Sequence, residues 1–243
     1  MMYSVRSTAF RVLLAGLVLV AAGCEEKKPY GAEAQLFLPT KKRQVWAVAP
    51  AINLSGQKEV DALLQADLVY QQLQQVHGLT VVPVNRVVEV FAGLRIEKVA
   101  TSEQAAIVCD LLGCDALVVP TVTAYDPYDP PKVGASLQVF HKPRNYSRPQ
   151  NVDVRGLSRS ATFGTNESLP PPDGQFLQAV GIFDAANGTT RQAVLEYAAG
   201  RHDPVGPMGA KEYLVSMDRY SGFVYHTLAA DVLKQIEARD KKI

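Results

Sequence analysis

The chain has 243 residues and sets 25 basic side chains against 24 acidic ones. That balance excludes a nucleic-acid partner, which needs a concentrated basic face. It also leaves long-range electrostatics little part in holding the chain to a membrane.

In chain order, Arg6 and Arg11 give a positive start with no acidic residue before Glu25, and Val12 to Val20 is one uninterrupted apolar run. The run is too short for a bilayer core that takes about 20 apolar residues, but it suits the hydrophobic region of an export signal. Ala21-Ala22-Gly23-Cys24 follows at once. Small residues admit the backbone to a peptidase cleft, and a cysteine thiolate is the nucleophile that takes up diacylglycerol. The segment resembles the bacterial lipobox, with Ala21 where leucine is commoner. Residues 1–23 are therefore expected to be removed. That leaves 220 residues with 23 basic and 24 acidic side chains, a net charge of −1. Acyl chains on Cys24 must then supply the attachment, at about 0.8 kcal/mol per buried methylene. By resemblance to sorted lipoproteins, Glu25 in place of aspartate favours the outer membrane.

Residues 24–44 read as the lipidated cysteine and a flexible tether, with Leu36-Phe37-Leu38 able to dock on the body. From about residue 45 strand and helix signals alternate. Val45 to Pro50 is a short β-rich run, and Asn53 to Gly56 is turn and cap material. A helix then extends to His77, closed by Gly78, with Val60, Leu63, Leu64, Tyr70, Leu73 and Val76 on the dry face. Gln71, Gln72, Gln74 and Gln75 are expected on its wet side. Leu79–Val84 reads as a buried strand, and Arg86–Ala92 as a short helix ended by Gly93.

Thr101 and Gln104 form a capping box for a further helix, with Ala105, Val108, Cys109 and Leu112 as its apolar stripe and Gly113 as its stop. Asp115–Thr123 is the next strand. Tyr125–Pro131 is a proline-stiffened turn, after which Ala135–Phe140 pairs back antiparallel. Residues 141–174 are a polar, proline-rich insertion. Phe176–Phe183 and Thr189–Tyr197 flank Asp184–Gly188 and predict a hairpin. A long helix covers about 210–238. The pattern predicts a single α+β domain over 45–243, with an α/β-like core in which helices pack on a mixed sheet.

This order of elements, with Asn-Leu-Ser-Gly at 53–56, Leu-Thr-Val-Val-Pro at 79–83, Leu-Gly-Cys-Asp-Ala-Leu-Val-Val at 112–119 and Asp-Ala-Ala-Asn-Gly at 184–188, supports a family likeness. It is similar to the periplasmic domain shared by CsgG, the lipoprotein activators of penicillin-binding proteins and the amino-terminal domain of TolB. Most of the likeness lies between Trp46 and Tyr125. It implies a non-enzymatic protein that scaffolds, secretes or activates, and it transfers no binding residues. A channel of the CsgG kind needs membrane strands of roughly 9–11 residues. The strands read between 135 and 197 are about 6 to 9 residues long, which ranks a secretion channel second and an envelope enzyme third.

No metal, phosphate-loop or nucleophile-elbow motif surrounds His77, His141, His202 or His226. His77 reads as a cation for a helix C-terminus. No cofactor is implied. Tyr125, Asp126, Tyr128 and Asp129 are the candidate partner loop, because tyrosines are rigid amphipathic anchors and the prolines stiffen the turn. Cys109 and Cys114 are predicted to meet across a Schellman helix ending, as a disulfide or as packed thiols. The expected partners are the membrane, through Cys24, and an envelope protein, with self-association left open.

Overall fold

The computed structural model describes residues 35–143 and 176–241. Cys24, the signal segment and most of the 141–174 insertion lie outside them. Among the described residues, six strands form one mixed sheet: β1 (Gln44–Val48), β2 (Ile52–Asn53), β3 (Leu79–Val82), β4 (Ala116–Asp126), β5 (Lys132–His141) and β6 (Phe176–Asp184). The spatial order is β3-β1-β4-β5-β6, with β2 pairing β4. β1 runs parallel to β3 and β4, whereas β5 is antiparallel to both β4 and β6. The parallel half is reached through helical crossovers and the antiparallel half through turns, as the alternation of signals requires. The α+β class read from the sequence is the class observed.

The helices are α1 (Ala62–Gln74), α2 (Val84–Leu94), α3 (Ser102–Leu112), α4 (Gly188–Ala198), α5 (Glu212–Val215) and α6 (Met217–Asp240). One face of the sheet, through Trp46, Val48, Val118, Val133, Ala135, Leu137 and Val139, packs on α1 and α6. The other face, through Ala47, Ala49, Leu117 and Val119, packs on Val87 and Phe91 of α2 and Val108 of α3. Leu228 of α6 is wholly buried, and a side chain so placed contributes roughly 1.5–3 kcal/mol.

Local chemistry explains where elements begin and end. Thr101 Oγ1 accepts the Gln104 N–H at 3.2 Å, while Gln104 Oε1 accepts from Ala100 at 2.7 Å and from Thr101 at 3.3 Å. α3 closes with Gly113 in the left-handed region at φ 68°, and the Cys114 N–H returns to the Cys109 carbonyl at 2.9 Å. On β4 the pairing register shifts between Val122 and Ala124. The bulged strand approaches Gly134 so closely that an added Cβ would stand 2.8 Å from Thr123 Oγ1.

Four sequence expectations need correction. Thr189–Tyr197 is helical, not a hairpin strand, because Asn187 accepts the Thr189 N–H at 2.9 Å and so caps α4 instead of turning a hairpin. Val194 and Ala198, one helical turn apart, are its buried residues. On α1, Leu63 and Leu64 are 47% and 41% exposed, whereas Gln65 and Gln72 are buried. Those two glutamines accept hydrogen bonds from Tyr225 and Tyr197, which satisfies their carbonyls inside the protein. α2 extends past Gly93 and is capped by Arg95 at φ 54°. The carboxy-terminal helix is interrupted at Ser216, which separates α5 from α6. Leu36–Leu38 does dock on the body: Leu38 is buried, and its segment bonds to His77 in both directions, at 2.9 and 2.8 Å.

Candidate functional site

β6 ends the sheet. On one side it pairs with β5 from Phe140↔Phe176 to Lys132↔Asp184, and no other described strand pairs with it. Leu177 and Ala179 face α6, so Gln178, Val180 and Ile182 point to the opposite face. The Gln178 carbonyl accepts from Gln235 Nε2 at 2.9 Å, which shows that its backbone groups are turned away from β5. Antiparallel alternation gives Val180 and Ile182 the same outward direction. Their side chains are also 64% and 70% exposed. Among the described residues no strand pairs with the outward groups of Val180 and Ile182, which lie beside apolar side chains, and β6 carries none of the lysines or prolines that commonly blunt such edges.

The loop between β4 and β5 lies at the same end of the sheet as the close of β6. The Ala185 N–H donates to the Pro131 carbonyl at 2.9 Å, and Lys132 pairs with Asp184 at 3.3 Å. The structure separates the four predicted loop residues into two kinds. Tyr128 is 80% exposed and stands free at the tip. Tyr125 instead packs against the main core, and burial, followed by the charges of Asp218 and Glu59, pushes its hydroxyl pKa up. Asp126 accepts the Tyr128 N–H at 3.1 Å and so shapes the turn. Asp129 is exposed beside it.

Cys109 and Cys114 are free and buried. The hydrogen bond between their side chains and the burial of the pair push the Cys109 thiol far above its usual range. The histidines are dispersed. His77 stacks on Phe37 with centroids 4.9 Å apart and lies past the end of α1, not in its last turn. His141 lies edge-on to Trp46, and His226 tilts against Tyr197. Burial lowers the pKa of each to about 4. His202 Nδ1 is within 2.9 Å of the Ala198 carbonyl. Among the described residues no group of three or more His, Cys, Asp or Glu could hold a metal ion, and no helix is long and apolar enough to cross a membrane.

The sequence reading missed the β6 edge. Its signal was present: Val180 and Ile182 make the strand apolar on both faces, which reads equally well as a buried central strand.

No protein-family model matches the chain, and no curated protein matches it. Solved structures do. The carboxy-terminal domain of LpoB from Salmonella enterica is 12% identical, covering 42% of this chain and 74% of that one at a TM-score of 0.35. Lipoprotein GNA1162 from Neisseria meningitidis is 20% identical, covering 49% and 93% at 0.33. The PelC dodecamer from Paraburkholderia phytofirmans is 11% identical, covering 81% and 88% at 0.35. At such scores these likenesses carry no argument about what this chain does.

Proposed function

We propose that this chain is a non-enzymatic lipoprotein, anchored in the outer membrane through acyl chains on Cys24, whose periplasmic body docks an envelope protein by accepting an extended segment along β6. The observation that supports the reading is the edge at Val180 and Ile182, with which no further described strand pairs and where outward backbone groups and exposed apolar side chains coincide. Strand addition takes its affinity from main-chain hydrogen bonds and its specificity from alternate side chains. Tyr128 stands at the end of this edge as a rigid second contact.

The secretion-channel alternative has less support. β4, β5 and β6 are 11, 10 and 9 residues long, longer than the sequence suggested and long enough for a membrane strand. However, Val133, Ala135, Leu137 and Val139 of β5 pack in the main core with α6, so that face of β5 is not available to lipid.

The test is in-cell photo-crosslinking from Val180 and from Tyr128, with palmitate labelling run in parallel. A defined protein adduct is expected from both positions. The Tyr128 adduct should be lost when Val180→Lys and Ile182→Lys are combined, while Cys24→Ala abolishes label incorporation. An adduct that survives the double lysine change would overturn the edge as the docking site. Label retained by Cys24→Ala would overturn the anchor.

A further inference from the structure

A cleft of about 360 Å³ opens on the opposite side of the helical layer from the β6 edge strand's exposed residues, where α1, the end of α4 and the start of α6 converge. Its volume is at the small end of ligand pockets. Helical spacing puts Gln71, Gln72 and Gln75 along one wall, because positions three and four apart share a face. The facing wall carries Arg201 and Arg219 on a tyrosine frame. The Arg201 guanidinium lies 4.2 Å from the Tyr197 ring centroid, and its Nη1 donates to the Tyr197 carbonyl at 2.8 Å. Tyr197 is itself held by its hydroxyl, which donates to Gln72 Oε1 at 2.9 Å, and by edge contacts with Tyr213 and Phe223.

The two arginines are not equivalent. Arg219 Nε already bonds Glu212 Oε1 at 2.7 Å. Arg201 has no carboxylate partner among the described residues, and most of its fork remains to be used. Asp218, in the first turn of α6, brings a carboxylate to the same cleft. The glutamines are complementary in what they leave unused. The Gln72 oxygen is taken by Tyr197, so its amide N–H groups are spare, whereas the Gln75 nitrogen donates to the Gln71 carbonyl at 3.3 Å, so its oxygen is spare.

We infer that the cleft binds a short peptide of two or three residues with both ends free. Its carboxylate pairs with Arg201, its amine faces Asp218, and its peptide bond lies along Gln72 and Gln75. A planar guanidinium braced on a ring is suited to a carboxylate. A spare donor and a spare acceptor on one helix wall match the carbonyl and N–H of a single amide. Opposite charges at the two ends select a zwitterion over a simple anion. This site does not depend on strand addition at β6.

The experiment is equilibrium dialysis of the full mature protein, in detergent, against radiolabelled L-alanyl-L-leucine. Saturable binding to one site is expected. The carboxy-terminal amide and the amino-acetylated dipeptide should each compete about tenfold worse, since each removes one charged contact. Arg201→Gln should weaken binding by a similar factor, while combined Val180→Lys and Ile182→Lys should leave it unchanged. The acid-against-amide comparison on the unmodified protein stands even if Arg201→Gln fails to fold. Equal competition by acid and amide, or no saturable binding at millimolar dipeptide, would overturn the proposal.

Discussion

The hydrogen bond from the Tyr225 hydroxyl to Gln65 Oε1 joins α6 to α1 through the middle of the core. Tyr225 is 0% and Gln65 2% exposed, and the oxygens are 2.6 Å apart. Burial raises the phenol pKa, so the group stays protonated and remains a donor. Tyr225→Phe keeps the ring and removes the donor, leaving the glutamine carbonyl inside with nothing to accept from. A net neutral hydrogen bond is worth about 0.5–1.5 kcal/mol and a stranded buried acceptor costs about 1–3, so the substitution should destabilise by roughly 1–3 kcal/mol. In a domain of this size that lowers Tm by about 2–4 °C for each kcal/mol. Adding Gln65→Met removes the stranded carbonyl at nearly constant volume. The double variant should therefore be more stable than the sum of the single losses by about 1 kcal/mol. Urea unfolding followed by circular dichroism, read at constant m-value, measures all three. A Tyr225→Phe loss under about 0.3 kcal/mol, or strict additivity in the cycle, would refute the reasoning.

Two further predictions concern titratable groups. The folded pKa values of His141 and His226 are near 4, against about 6.5 for an unfolded chain. Between those values the unfolded state binds more protons, so this stability is complete above about pH 6.5 and is lost as pH falls toward 4. A loss on the order of 2 kcal/mol per imidazole is expected by pH 4.5, and His226→Leu should flatten the acid limb of urea midpoints; an unchanged slope would refute it. For Cys109 and Cys114, the raised Cys109 pKa leaves almost no thiolate to attack an oxidant. Thiol counting on freshly unfolded mature protein should find both reactive without reductant, and counting only after reduction would show that they had joined.

The β–α alternation between Trp46 and Thr123 was legible because its punctuation is local. Thr101 with Gln104, and Gly113 at positive φ, act within a few residues of themselves. The Asn187-Gly188 pair was misread because asparagine serves equally as a turn residue and as a helix cap, and only the burial of Val194 and Ala198 decides between them. Gln72 looked like a solvent residue because its partner is Tyr197, more than a hundred positions away. The arginine cleft was illegible for the same reason. It is assembled from four helices, and neither Arg201 nor Arg219 belongs to any local motif.

The docking of Leu36 to Leu38 beside His77 has a consequence for posture. With Leu36 as the first docked residue, 11 residues separate it from Cys24; were they the flexible tether proposed from the sequence, their reach would be at most about 36–40 Å and nearer 20 Å on average. Such a tether would leave from the end of the sheet where β1 begins, beside the Gln44↔Leu79 pair, and β1 and β4 run parallel. Tyr128 therefore projects from the far end of β4, about 36 Å away along an 11-residue strand. A lipid on Cys24, as proposed above, would keep the base of the sheet within that reach of the membrane and leave the tyrosine tip at the opposite end of the sheet.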